Sequence, residues 1–525
     1  SDLFYLDQTT ASQTRRQRNL QKILAESGVP DDFAQRFLAQ KNSLQRLFDR
    51  RALAYSAQKT AEAEKINAEI ITAQMALDAT QRELEQKYPR YAQAFMQLPA
   101  PTISQIQAQL DAHTACVVPF LSYFQLYICR DTVFVHSVER EFYTPEEHDY
   151  AARARLTRLL TEPNFDAPAD SLQADKAAFI LIMRRLYERH FAGVMPQLKA
   201  QGIRHIMVVN SLNTPPYPYE LILCSPAEID QPFGEMDFLL RHFSVQYLSS
   251  LSLWQQAREQ AANSHNNGKI LGFAPMYAPE RIHPSRSEVL RTTRAALQPL
   301  AGAQAELQKL AEFYWGDFFN NERADEGSFK RALQGNYAVV HLAMHGLFNA
   351  DNASLSSLAF TETTQDSTED NFLHAYEIAQ MQLPAQLVVL SACETGVGKS
   401  QRGEGTMSIA RYFLYAGTPA LIATRWQVND QTTGIIMQLF YEQLAKGEPI
   451  ATAMQKAQLD YLARAKGNAQ HPFFWAAPMA IGYAERSVYI APKDWQKRYY
   501  LYAGSAALVL LLAGGGTWYW RKRRE

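Results

Sequence analysis

The sequence predicts an α/β protein built on a mostly parallel sheet with helices on both faces. Three observations predict it. Between residues 264 and 490, short apolar runs of strand length alternate with stretches of helical period, and parallel strands require such crossovers. The runs KILGFAP, YAVVHLAMHG, LVVLSACETG and PALIATRWQ are apolar nearly throughout, as strands covered on both faces should be. Upstream, ACVVPFLSYFQLYICRDTVFVHSVERE holds three more strand-like runs with a turn at Arg130 and Asp131, and HIMVVNS another.

Taken in order, residues 1–98 read as a helical region. Apolar residues recur there at spacings of three and four, and Ile70, Leu77 and Leu84 recur every seven, with Ile66 and Ala73 between them. This pattern suggests a helical hairpin, a short coiled segment or the remnant of a repeat array. SGVPDD at 27–32 ends one helix and starts the next. A solvated spacer and a partner-binding face, recruiting or activating, are both open for it. The period changes at 98–101, and residues 99–263 form a first α/β unit with a long helix near 175–201. AANSHNNG at 261–268 is a polar linker. Residues 264–490 form the second unit, with helices expected around 304–315 and 433–444.

Composition limits the function. The chain has 525 residues, 47% of them hydrophobic, which excludes a disordered protein and allows two or three cores. Its 52 basic and 53 acidic residues nearly cancel, so no nucleic acid partner is expected. Cys116, Cys129, Cys224 and Cys393 lie far apart without CxxC spacing, against a zinc ribbon or a dense disulfide framework. The chain begins at Ser1 without an initiator methionine, as after trimming or loss of an upstream portion, and no signal peptide is read there.

Residues 499–520, YYLYAGSAALVLLLAGGGTWYW, are 22 positions without a formal charge, long enough for a transmembrane helix. Aromatic residues sit at both ends, and Lys497, Arg498, Arg521, Lys522, Arg523 and Arg524 bracket them. The expectation is a single-pass membrane anchor. Basic residues on both sides leave its orientation open.

Chemistry concentrates at two strand ends. The run leading through Val339 and Val340 ends at His345 and Gly346, and the run LVVLSA ends at Cys393, 48 residues after His345. If these strands are parallel neighbours, both side chains project from one edge. An imidazole can deprotonate the thiol and later protonate the leaving amine. Gly346 lets the chain turn sharply and offers its N–H to an oxyanion, with the N–H of Cys393 as second donor. His341, inside the strand, reads as a structural histidine. A zinc site from His341 and His345 is not favoured, because HLAMH lacks the glutamate of HExxH. The rival reading of CETGVGKS is a phosphate loop. Cys393 stands where that loop needs its first glycine, and Gly403 and Gly405 interrupt the helix that should follow.

HLAMHG, LSACETG, GEG at 403–405 with ARYFLYAG, ATRWQVND, and HPFFWAAPMAIG at 471–482 resemble the successive motifs of the CHAT family, caspase-like peptidases related to separase and common behind tetratricopeptide repeats. The resemblance covers about residues 100–485. It implies two caspase-like lobes, 99–263 a non-catalytic pseudo-caspase lobe and 264–490 the peptidase lobe, with His345 as general base and Cys393 as nucleophile. Two departures stand out. VNSLNTPPYPY at 209–219 replaces a Pro-Asp-Gly-like turn, and Thr424 and Arg425 precede Trp426 where the family carries a serine-leucine-tryptophan run. Separase-like and related peptidases prefer a basic residue before the cut, which suggests Asp430 as the group that binds it, against a helix N-cap. Caspases read aspartate through arginines, which keeps Arg425 as an alternative, against a surface charge.

The expectation is therefore a membrane-anchored, caspase-like cysteine endopeptidase acting on protein substrates, with no metal or organic cofactor required. The alternatives are a catalytically inactive caspase-fold scaffold and a phosphate-loop nucleotide binder.

Overall fold

The computed structural model describes Leu24, residues 28–56, separate helical positions between 66 and 88, and most of 101–493. Within that last span, 121–123, 138–155, 157, 210–217, 263–265, 279–295, 348–355, 363–370, 379–380, 392–399, 402–404, 407–408 and 427–429 lie outside the description.

One eleven-stranded sheet organises these residues. The first α/β segment gives β1 (Thr114–Phe120), β2 (Phe124–Cys129), β3 (Val133–Ser137), β4 (His205–Val209) and β5 (Ser244–Leu248). The second gives β6 (Ile270–Pro275), β7 (Gly316–Asn321), β8 (Val339–Ala343), the short β9 (Gly346–Leu347), β10 (Ser357–Ala359) and β11 (Phe372–His374), then β12 (Leu387–Ser391), the short β13 (Ser400–Gln401) and β14 (Gly405–Thr406), β15 (Ala420–Thr424) and β16 (Pro478–Gly482). The sheet runs β3-β2-β1-β4-β5-β16-β15-β12-β8-β6-β7. β1, β2 and β3 form an antiparallel meander whose second turn falls at the expected Arg130 and Asp131, where the Cys129 N–H donates to the Thr132 carbonyl at 2.9 Å. From β15 through β12, β8 and β6 to β7, every pairing is parallel.

Burial explains the apolar runs. Each residue of β4, β5, β6, β8 and β15 is buried. Ala115, Val117, Ile206 and Val208 join the main core, whereas Cys116, Val118, Met207 and Val209 pack with Leu251 and Trp254 in a second cluster. Alternate residues of one strand thus serve opposite faces. In the second segment Phe273 stacks on Phe319 with centroids 4.6 Å apart and meets Phe329 and Phe360 at steep angles, contacts that add about 0.5–1.5 kcal/mol each beyond simple burial.

β16 joins the halves. It pairs antiparallel with β15 from Ala420↔Gly482 to Thr424↔Pro478, and parallel with β5 at Ala480↔Gln246 and Ile481↔Tyr247. Just beyond it, Glu485 is held inside the fold, accepting from Gln246 Nε2 at 2.8 Å and from Trp254 Nε1 at 2.6 Å. Burial raises its carboxyl above the usual range even against these donors.

The helices differ from expectation in informative ways. The long helix spans Ala169–His190, and a separate helix Met195–Ala200 follows, with Pro196 in its first turn. Ala301–Phe313 ends before Tyr314, because the chain then enters β7, an edge strand whose half-buried GDFFNN lacks an apolar run. Near the N-terminus, Gly28 takes φ +73° before the helix Asp31–Ser56. Arg36 pairs with Glu83 and Arg50 with Glu69, each at 3.3 Å. One partner number falls as the other rises, so the two helical segments run antiparallel. Their core is Phe33, Phe37 and Leu44 against Ile66, Leu77 and Leu84, a helical hairpin.

The C-terminal transmembrane helix is not supported. Among the described residues no helix is long and apolar enough to cross a membrane, and 499–520 lie outside the described residues. Ala169–His190, at 22 residues, is long enough but carries Asp170, Asp175, Lys176, Arg184, Arg185, Glu188 and Arg189. The single-pass membrane location inferred from that stretch falls with it.

Two buried histidines set a pH dependence. Burial pushes His205 down to about 4 and His190 to about 3. Both stay neutral in the folded chain, while the unfolded chain takes up protons below about pH 6.5. Their contribution is therefore complete above about pH 6.5 and is lost as pH falls towards 4. Urea unfolding at pH 7 and pH 5 should show His205→Asn losing roughly 2 kcal/mol less than the wild type over that interval; an equal loss would contradict the assignment.

Candidate functional site

The site is built where β8 and β12 end. They are parallel neighbours, paired from Leu387↔Val339 to Ser391↔Ala343. His345 is two residues beyond Ala343, and Cys393 is two residues beyond Ser391. Cys393 itself lies outside the described residues. Sites of covered parallel sheets lie at this carboxyl edge.

His345 is fixed through its backbone and its ring. Its N–H donates to the Tyr277 hydroxyl at 3.0 Å, and its carbonyl accepts from the Ala359 N–H at 2.9 Å. The Tyr277 hydroxyl donates onward to the Ala359 carbonyl at 2.7 Å. Tyr277, two residues past β6, also packs its ring on the imidazole, with centroids 4.7 Å apart. The imidazole Nε2 lies 2.7 Å from the Gln298 carbonyl. A carbonyl only accepts, so Nε2 carries the ring proton and Nδ1 is the basic nitrogen of the neutral imidazole. Gly346, half-buried, opens β9 beside Leu358.

A buried carboxylate lies beneath this edge. Glu306, on the helix Ala301–Phe313, places Oε1 2.9 Å from His341 Nε2 and accepts from the Ser391 hydroxyl through Oε2 at 3.1 Å. Nδ1 of His341 lies 3.0 Å from the Tyr441 hydroxyl. His341 is thus the structural histidine its place in the strand suggests, with no exposed surface. Glu306 therefore links β8, four residues before His345, to β12, two residues before Cys393. Sequence reasoning missed it, although Ala303, Glu306, Leu307 and Leu310 form the helix's buried stripe, and a carboxylate in such a stripe needs a buried partner.

Arg425 follows β15 and is not a surface charge. It is 6% exposed, Nη2 donates to both Glu220 oxygens at 2.9 Å, and Nη1 donates to the Ala476 carbonyl at 3.0 Å. Its guanidinium lies over the Tyr247 ring, whose hydroxyl donates to Glu220 at 2.7 Å. The arginine thus ties β15 to the first segment. Trp426 is buried too, with Nε1 donating to the Phe473 carbonyl of the HPFFW stretch at 3.0 Å. Asp430 is the first residue of the helix Asp430–Ala445.

The three described cysteines are poor nucleophiles. Burial raises Cys129 to about 11 and, with help from Asp237, Cys224 to about 12; Cys116, buried beside Glu485, is raised further. None is a thiolate near neutral pH.

A covered sheet with this edge, a histidine past one strand and a cysteine past its neighbour, defines the class as a caspase-like α/β fold of the cysteine-peptidase kind. Residues 181–483, more than half of the chain, match the CHAT domain, and the chain belongs to that family. It is 27% identical over 114 residues to human tetratricopeptide repeat protein 28, a stretch that is 22% of this chain and 4% of that protein. The chain thus spans a small part of that relative's length. Among solved structures it is similar to the Arg-specific cysteine proteinase gingipain R, at 10% identity and TM-score 0.37 over 66% of this chain and 76% of that one. It is also similar to the Saccharomyces cerevisiae separase–securin complex, at 12% identity and TM-score 0.34 over 84% of this chain and 27% of that one. At these values no residue role is transferred from either.

Glu306→Ala removes the acceptor that faces His341 and Ser391. It should lower unfolding stability by about 2–3 kcal/mol, measured by urea titration. A loss below about 0.5 kcal/mol, the range of an ordinary surface change, would show that the carboxylate does not hold the two strands.

Proposed function

We propose that the chain is a cysteine endopeptidase acting on protein substrates through His345 and Cys393. The observation that carries this reading is the parallel β8–β12 pairing, in which each of the two residues follows the Ala343↔Ser391 pair by the same distance along the chain. In the mechanism, Nδ1 of His345 takes the Cys393 proton while the Gln298 carbonyl holds Nε2–H. The thiolate attacks the peptide carbonyl and forms the tetrahedral intermediate. The N–H groups of Gly346 and Cys393 bind its oxyanion. His345 returns the proton to the departing amine, and water, deprotonated by the same imidazole, hydrolyses the thioester.

Asp430 is proposed to receive a basic residue before the cut. The alternative, an acidic residue read by Arg425, has less support, since that guanidinium is buried against Glu220. Residues 1–98 are proposed to bind an activating or recruiting protein. The helical hairpin there has a core of its own, separate from that of the sheet.

The test is cleavage of a peptide library by the full chain, beside Cys393→Ala and His345→Ala. Both substitutions should reduce kcat by at least about 10³-fold, with circular dichroism unchanged. Cleavage that survives either substitution refutes the mechanism. Asp430→Asn should lower kcat/KM for basic peptides more than for others.

A further inference from the structure

The first α/β segment holds a cluster that the proposed chemistry does not use. Cys224 Sγ, a carboxylate oxygen of Asp237 and a ring nitrogen of His242 all lie within 4.8 Å of one another, each residue half-buried. The backbone holds them in place. An isolated bridge joins Leu223 to Phe238, and the Cys224 N–H donates to the Asp237 carbonyl at 2.8 Å. Arg184 donates to the Leu223 and Cys224 carbonyls at 3.1 and 2.8 Å, which fixes the segment that carries the thiol. The 3₁₀ turn Leu239–Arg241 then returns the chain so that His242 Nε2 lies 2.7 Å from Asp237 Oδ1. The Ser225 hydroxyl donates to Asp237 Oδ2 at 2.6 Å.

We propose that Cys224, Asp237 and His242 bind a divalent transition-metal ion of the zinc class. The donor set selects the ion: thiolate and imidazole suit Zn²⁺ and Co²⁺, whereas Mg²⁺ and Ca²⁺ take oxygen ligands. The geometry is close to what is needed. Donors 2.0–2.3 Å from a tetrahedral ion stand about 3.3–3.8 Å apart, and the three ligand atoms, all within 4.8 Å of one another, are near that spacing. Ser225 supplies the outer hydrogen bond that orients the carboxylate ligand. Three protein ligands leave the fourth position to water.

Binding exchanges a proton for the metal. The ion forms a bond to sulfur, the S–H bond breaks, and the proton leaves to solvent. No electron is transferred. The ion would clamp residues 223–242 just ahead of β5, which stands three strands from β12 in the sheet.

The test is titration of the metal-free full chain with Co²⁺, followed by optical spectroscopy. Wild type and Cys393→Ala should both develop a near-ultraviolet sulfur-to-cobalt charge-transfer band at one equivalent, and Cys224→Ser should not. If Cys224→Ser does not fold, His242→Ala, which spares the thiol, should need far more Co²⁺ to develop the band. Zn²⁺ should raise the unfolding temperature of the wild type but not of these two variants. No band in the wild type overturns the proposal. So does a band kept by Cys224→Ser but lost in Cys393→Ala, which would place the metal at the proposed catalytic pair, or a His242→Ala titration identical to wild type.

Discussion

The structure depends on the parallel ladder between β8 and β12. Both strands are apolar on the two faces of the sheet, so a slip of one residue in their register is opposed by their polar side chains, His341 and Ser391, which would turn away from Glu306. That register makes Ala343 and Ser391 a pair and gives the chain beyond each strand its starting point. β6 lies on the other side of β8 and sends Tyr277 over His345. Three strand ends thus specify one histidine: β8 leads to it, β6 supplies the tyrosine on its ring, and β12 leads to the cysteine proposed as its partner.

Around this apolar frame the fold uses a few buried polar contacts. Glu306 lies between His341 and Ser391, and Arg425 lies between Glu220 and the Ala476 carbonyl. Glu485 lies between Gln246 and Trp254. Such groups are costly to bury and give little net stability unless matched. Each joins elements distant in sequence, so a misaligned packing would leave a charge or acceptor without its partner. They favour one arrangement of the two α/β segments, and β16 makes that arrangement a continuous sheet.

Much of this was legible in the sequence, for physical reasons. Parallel strands buried on both faces are apolar runs, which is why KILGFAP, VVHLA, LVVLS and ALIAT could be read and why His345 could be placed at a strand end. The seven-residue spacing of Ile70, Leu77 and Leu84, with Ile66 and Ala73 between them, left a hairpin, a coiled segment and a repeat remnant open, and among the described residues Ile66, Leu77 and Leu84 pack against Phe33, Phe37 and Leu44. What could not be read depends on tertiary partners. β7 is an edge strand with a mixed face, so GDFFNN gives no run. Arg425 looked like a surface or specificity charge because its partner, Glu220, stands 205 positions earlier. Nothing local to HPFFWAAPMAIG shows that its last residues join two half-sheets. The membrane anchor read from the uncharged stretch at 499–520 and its aromatic and basic flanks is not supported, since no described helix is long and apolar enough to cross a membrane and 499–520 lie outside the described residues.

The central claim is that His345 activates Cys393, and the pH dependence of cysteine alkylation tests it most directly. Treating the full chain with iodoacetamide and locating the label by mass spectrometry gives a rate for each of the four cysteines. The account predicts that Cys393 reacts far faster than Cys116, Cys129 and Cys224 at neutral pH, and that His345→Ala slows it towards the rate of an ordinary thiol. A Cys393 that reacts no faster than Cys129, or whose rate is unchanged in His345→Ala, would contradict it.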